Sequence, residues 1–206
     1  MDKVALITGG RSGIGLACAQ KLSQSGCEVI TAQRTPADTF YSIEADFSDP
    51  DTPKRVIQQV IDRHSRLDAL VNNAGISPKS KDGSRLDSLT TPMNAWQQVF
   101  QVNVFAPIMM TKAFAEPLQR GKGAVVNVTS IAGSRVHDFA GSAYATSKAA
   151  LGALTREMAS DFGKLGIRVN AIAPGEIMTD ILSPGSEEAI LPQIPLGRFG
   201  TPDEVA

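Results

Sequence analysis

Tyr144 and Lys148 stand four residues apart in Tyr144-Ala145-Thr146-Ser147-Lys148, a spacing that puts both side chains on one face of a helix within mutual reach. A free phenol titrates near pH ~10, too high for efficient proton transfer at neutral pH, and a nearby ammonium lowers that value. The pair can therefore do general acid/base work. The same spacing also describes a surface tyrosine beside a solvated lysine, so the surrounding chain must decide. Val128-Thr129-Ser130 ends one apolar run, and its hydroxyl can hold a substrate oxygen while the phenol donates to it. Asn72-Asn73-Ala74-Gly75 ends another, where small and amide residues suit either a close ligand or a plain turn. Thr8-Gly9-Gly10-Arg11-Ser12-Gly13-Ile14-Gly15 follows a third. Glycines there allow a tight turn, close approach to a pyrophosphate, and close packing of helix on sheet. Exposed amides and the positive end of the helix dipole favour the phosphates. The spacing is G-x3-G-x-G, not G-x-G-x-x-G, and alone it is a weak signal.

The elements that must position these residues are short apolar runs alternating with helix-length segments. Strands are predicted at 4–8, 29–32, 41–45, 67–72, 123–128 and 167–172, and helices at 13–25, 53–65, 93–119 and 142–165. Near-continuous apolar strands joined by helices indicate a parallel sheet covered on both faces, an α/β fold of the doubly wound type. Ligands bind such sheets beyond the carboxyl ends of the strands, and all four features above fall on that edge. From Arg34 to Asp46 the chain is too short for a full crossover helix. Thr201-Pro202-Asp203-Glu204 reads as a capped helix start.

Of the 206 residues, 42% are hydrophobic and 20% charged, enough for one substantial core. A net charge of -1 gives no nucleic-acid footprint and no polybasic membrane anchor. Met1-Asp2-Lys3 runs directly into the first strand, too short for a signal peptide or a span. Cys18 and Cys27 make neither a disulfide framework nor a metal site; they read as small hydrophobes in a reducing cytoplasm.

The T-G-x3-G-I-G loop, Asn72-Asn73-Ala74-Gly75, Ser130, Tyr144-x3-Lys148 and Pro174-Gly175 together resemble the short-chain dehydrogenase/reductase family across nearly the whole chain. The resemblance implies a Rossmann-type three-layer fold and a hydride transfer between a nicotinamide dinucleotide and a small-molecule carbonyl or alcohol. Carried over by position, Tyr144 is the general acid/base, Ser130 orients the carbonyl, and Lys148 lowers the tyrosine pKa and binds the nicotinamide ribose. Asn103 would hold a water completing a proton relay; by sequence alone it is an ordinary helix-interior amide. Cofactor contacts would come from Gly9, Arg11, Ser12, Gly13, Ile14 and Gly15 in the loop, and from Asp46 and Phe47 at the adenine. Asn73, Ala74 and Gly75 would line the cleft, while Pro174, Gly175, Ile177 and Thr179 close over the nicotinamide end. The resemblance also implies a further helix and strand past Glu204, so 1–206 reads as a single domain lacking them, with one sheet edge unpaired. Helices 93–119 and 142–165 would pack against a second copy in a dimer or tetramer, with Ala149, Ala150, Gly152 and Ala153 permitting close approach.

An acid at the end of the second strand would select NAD. Here Gln33 takes that place, Arg34 follows it, and Arg11 adds a second guanidinium, so NADP(H) is expected over NAD(H). Two other readings stand beside this one: an NAD-dependent alcohol dehydrogenase of the same family, and a dinucleotide-binding sensor or assembly protein without turnover. His64 reads as a cation stabilising the carbonyls at a helix end, the charges of Lys54, Arg55, Asp62 and Arg63 as a solvated helix face, and Trp96 as core or subunit interface. His137 could shape the substrate pocket without doing chemistry. The segment from Ile181 to Pro195, with Pro184-Gly185, carries no side chain diagnostic of a substrate.

Overall fold

The computed structural model describes residues 3–81, 83–182 and 187–206; Met1 and Asp2, and Pro184 and Gly185 of the expected substrate loop, lie outside them. Six strands form one sheet: β1 (Lys3–Thr8), β2 (Cys27–Gln33), β3 (Tyr41–Glu44), β4 (Ala69–Asn72), β5 (Ala124–Val128) and β6 (Arg168–Ile172). Their order is β3-β2-β1-β4-β5-β6, and every pairing is parallel. The order reverses between β1 and β4, which makes their carboxyl ends the switch point where such folds open a crevice. Register brings Ala32, Thr8, Asn72, Asn127 and Ala171 side by side in one row across five strands.

Alternate strand residues face opposite sides, and both sides are apolar. Leu6, Ile30, Leu70 and Val125 pack with Met110, Phe114 and Met158 on one face. Ala5, Ile7, Val29 and Val71 pack with Ala19 and Leu22 on the other. Each fully buried Leu or Ile contributes ~1.5–3 kcal/mol. Helices α1 (Gly13–Gln24), α2 (Thr52–Ile61) and α6 (Ser142–Gly163) cover the faces, giving the Rossmann-type three-layer arrangement. Residues 34–40 join β2 to β3 without a helix, as their length required.

The expected single helix over 93–119 is broken. It comprises α3 (Met93–Phe100), a π-helical turn over Gln101–Phe105, α4 (Ala106–Ala113) and α5 (Ala115–Gly121). Pro107 sits in the first turn of α4, where its missing N–H does no harm, but it could not have continued an unbroken ladder from α3. The strand expected from 67 begins only at Ala69, because Asp68 turns its carboxylate onto the Val4 amide at 2.9 Å and pairs with Arg66. The short helices α7 (Glu187–Ile190) and α8 (Pro202–Val205) follow, and Thr201 and Glu204 form a reciprocal capping box on α8. No helix of the described residues is long and apolar enough to cross a membrane.

Candidate active site

A cleft of about 460 Å³ opens at the carboxyl ends of the strands. All the site residues expected from the sequence line it, with two exceptions, Gly15 and Asn103.

Its floor is pinned by Thr8, whose Oγ1 accepts the amides of Asn73 and Ala74, each at 3.0 Å. Asn73 returns its amide Nδ2 to the carbonyls of Thr8 and Gly9 at 3.0 and 3.1 Å. The glycine loop is thus tied to the end of β4. Gly9 and Gly13 take φ of +69° and +53°, a region that favours glycine. Gly15 lies under the loop: a Cβ there would come within 2.2 Å of the Gly9 carbonyl oxygen. Ser12 precedes α1 in extended conformation and gives its first turn no side-chain cap, so the N–H groups of that turn are left to face the cleft.

The end of β5 is fixed to β6 by Thr129, whose Oγ1 donates to the Ile172 carbonyl at 2.8 Å. Ser130 follows and caps a 3-10 turn over Ile131–Gly133, accepting the Ala132 amide at 3.2 Å. This turn lies directly on α6 at Lys148 and Ala149, an approach that only Gly133 permits: a Cβ there would be 2.7 Å from the Ala149 nitrogen. The consequence is that the Ser130 hydroxyl stands beside the Tyr144 phenol, close enough to oppose the rise in its pKa.

Lys148 is wholly buried and donates from Nζ to the Val128 carbonyl at 2.7 Å. Its Nζ lies 5.6 Å from the centroid of the Tyr144 ring. Loss of hydration lowers the amine to about 8. The sequence expectation was that this ammonium would pull the phenol down. In the structure the phenol is instead pushed up: burial dominates, the Ser130 hydroxyl counters it, and the charge of Glu176 adds to it. The lysine's charge is directed at a backbone carbonyl, which explains the difference.

Asn103 is fully buried in the π-helical turn and does not line the cleft. Its Oδ1 accepts the Ile76 amide at 2.9 Å, and its Nδ2 donates to the Ile76 carbonyl and to Ser147 Oγ, both at 3.0 Å. A Cβ on Gly75 would be 3.4 Å from both Asn103 Oδ1 and Lys148 Nζ, so that glycine is the thin wall between them. Behind the site, Asn72 donates to Asn127 at 2.9 Å and Asn127 to Thr155 at 2.9 Å, joining β4, β5 and α6 through a buried polar chain.

At the other end, Gln33 is buried and donates to Thr31 and Ser42, while Arg34 is exposed on the cleft rim. Asp46 accepts the amide and hydroxyl of Ser48 at 2.9 and 2.8 Å, and those bonds hold its carboxyl below the usual range. The segment after β6 closes over the loop: the Ile131 amide donates to the Pro174 carbonyl at 3.1 Å, and Thr179 faces Gly13. Trp96 packs on Phe100 with ring centroids 6.3 Å apart. Cys18 and Cys27 are free and half-buried.

One pair escaped the sequence reading. His137 Nε2 lies 2.5 Å from Glu176 Oε1, inside the cleft. The two are far apart in the chain, so no local spacing signals them.

The family model for short chain dehydrogenase matches residues 3–189. Protein FixR of Bradyrhizobium diazoefficiens is 50% identical over 99% of this chain and 77% of its own length. A Brucella ovis oxidoreductase of the short chain dehydrogenase/reductase family, solved with a partially ordered NAD, superposes with a TM-score of 0.80 at 51% identity, covering 84% of this chain and 83% of that one. The Pseudomonas aeruginosa RhlG/NADP active-site complex superposes at 0.87 with 31% identity, over 98% and 86% of the two chains. With that match running from the first strand past the sixth, the chain belongs to the short-chain dehydrogenase/reductase family of oxidoreductases.

Proposed function

We propose that this protein moves a hydride between NADP(H), in preference to NAD(H), and a carbonyl or alcohol substrate, with Tyr144 as general acid/base. The observation that carries the reading is that Tyr144 and Ser130 line one cleft side by side with the glycine backbone of the loop after β1.

A dinucleotide fits the residues present. The uncapped first turn of α1 and the side-chain-free surface of Gly9 and Gly13 suit a pyrophosphate. Arg11, Ser12 and Ile14 would flank it, Asp46 and Phe47 the adenine, and Lys148 the nicotinamide ribose. Ala74, Gly75, Gly175, Ile177 and Thr179 would bound the nicotinamide end. When bound, the cofactor supplies or accepts the hydride.

The protein's own groups handle the proton. Ser130 holds the substrate oxygen beside the phenol. Tyr144, kept protonated by burial, donates to that oxygen in reduction and takes the proton back in oxidation. Lys148 sits close enough to pass charge or a proton onward. Asn103 has both Nδ2 donors engaged within the protein, so its main chain in the π-helical turn is the group available to hold a relay water.

NADP(H) preference rests on Arg34 and Arg11 at the cleft rim, with no acid presented at the end of β2. NAD dependence is the second reading, favoured by the NAD in the Brucella ovis relative. Ala149 and Ala153 on the outer face of α6 and Phe105, 49% exposed, support assembly into a dimer or tetramer. The unpaired cysteines support a cytoplasmic setting.

The test is Tyr144→Phe, assayed by NADPH oxidation with a ketone. Turnover should fall by ~10²–10⁴-fold, while NADPH affinity measured by fluorescence stays within about twofold, because only the transferable proton is removed. Surviving turnover would overturn the assignment.

A further inference from the structure

We propose that Glu176, held in place by His137, recognises a hydroxyl group close to the reacting carbonyl of the substrate, so that the substrates of this protein are small hydroxy carbonyl compounds, hydroxyacetone being the simplest. This deepens the reductase reading above and rests on it.

The two side chains are 12% and 15% exposed, a setting in which a carboxylate must be hydrogen-bonded to persist. The His137 ring supplies that bond through a defined ring nitrogen. Its Nδ1 accepts the Phe139 amide at 3.2 Å, so the ring proton sits on Nε2 and is donated to Glu176 Oε1 at 2.5 Å. The backbone of Glu176 is fixed as well, its carbonyl accepting the Gly200 amide at 2.9 Å. Oε2 of the same carboxylate accepts no bond from any described residue and keeps contact with solvent. An oriented acceptor therefore stands in the cleft, near enough to Tyr144 for its charge to reach the phenol.

The choice of a hydroxyl follows from the charges that line the cleft. Lys79 also lines the cleft and donates from Nζ to the Phe139 carbonyl, two residues from His137. A cationic substrate would meet this ammonium, and an anionic one would meet Glu176. A neutral hydroxyl donates to the carboxylate and suffers neither repulsion. Gln98 and Ser77 add further polar lining at this cleft. Tyr144 and Ser130 line the same cleft as Glu176, so a carbonyl held by their hydroxyls keeps the rest of a small substrate on the side of this carboxylate.

The experiment compares hydroxyacetone with 2-butanone, which replaces the hydroxyl by a methyl group, in NADPH- and NADH-coupled assays. The native protein should prefer hydroxyacetone in kcat/KM by about tenfold or more, the range of a hydrogen bond to a charged acceptor. Glu176→Gln still accepts from His137 but turns an amide N–H toward the substrate, and should bring the two ketones within about threefold of each other. His137→Ala should weaken the preference, and His137→Gln, which restores an N–H donor to Glu176, should recover most of it. Melting curves establish that each variant is folded. Equal use of the two ketones by the native protein, or a preference that survives Glu176→Gln, overturns the recognition role and leaves the reductase reading standing. No oxidation of NADPH or NADH with either ketone overturns the reductase reading, and this one with it.

Discussion

The ammonium of Lys148 lies 5.6 Å from the Tyr144 ring centroid, yet its hydrogen bond goes to the Val128 carbonyl. Burial without a counter-charge lowers this amine from 10.5 to about 8. Below pH 8 the amine is charged in both folded and unfolded chains, and the fold bears the full desolvation cost. Between about 8 and 10.5 the folded protein has lost the proton while the unfolded chain keeps it, so this group's contribution to stability rises with pH.

Lys148→Met should therefore stabilise the protein at pH 7 while abolishing turnover. The relieved desolvation is about 3 kcal/mol, offset in part by the lost bond to Val128 at ~1 kcal/mol. A melting temperature raised by ~3–6 °C is expected. Scanning calorimetry at pH 7 and pH 10 checks both sign and pH dependence, because the gain should shrink at the higher pH.

Tyr144 is pushed above its ordinary value, so its phenol stays protonated across the neutral range. On the mechanism proposed above carbonyl reduction draws its proton from the tyrosine, and it should be flat in kcat/KM from pH ~6 to ~9. Alcohol oxidation needs the phenolate and should climb with pH over the same interval. Profiles measured in the two directions test this; a reduction rate falling already between pH 7 and 8 would contradict it.

Asn103→Ala removes three buried hydrogen bonds and leaves the amide and carbonyl of Ile76 without their partner. A loss of ~2–4 kcal/mol in urea unfolding is expected. Turnover should fall as well, because Ile76 follows the glycine that separates Asn103 from Lys148.

Gly15→Ala would place its methyl 2.2 Å from the Gly9 carbonyl oxygen and 2.5 Å from Asn73 Nδ2. The first contact is with backbone, which cannot swing aside. The bracket between Thr8, Gly9 and Asn73 must open, costing ~1–3 kcal/mol and weakening dinucleotide binding by about tenfold. Thermal melts and a fluorescence titration with NADPH read the two effects separately.

Much of this architecture was legible in the chain. Strands buried on both faces announce themselves as unbroken apolar runs, and Thr8, Asn72 and Ser130 mark their shared edge. The break in the helix over 93–119 was missed in the chain, although Pro107 has no N–H for an uninterrupted ladder. Other features depend on distance in the chain. Asn103 acquires its role only by meeting Ile76, and Gly133 matters only because Ser130 must reach α6. His137 and Glu176 meet across 39 positions, and neither spacing nor periodicity foretells it. The rise in the Tyr144 pKa depends on where the lysine's hydrogen bond goes, which the four-residue spacing leaves open.

Residues 34–40 connect β2 to β3 as an irregular strand of backbone along the cleft rim, where a helix would ordinarily lie. Most of these positions are exposed, and none belongs to either apolar cluster except Phe40 at its margin. Insertions or recoding there disturb no packing. The discrimination proposed above between a phosphorylated and an unphosphorylated ribose would therefore be the property most open to drift, in nature or in the laboratory, because changing it asks almost nothing of the rest of the fold.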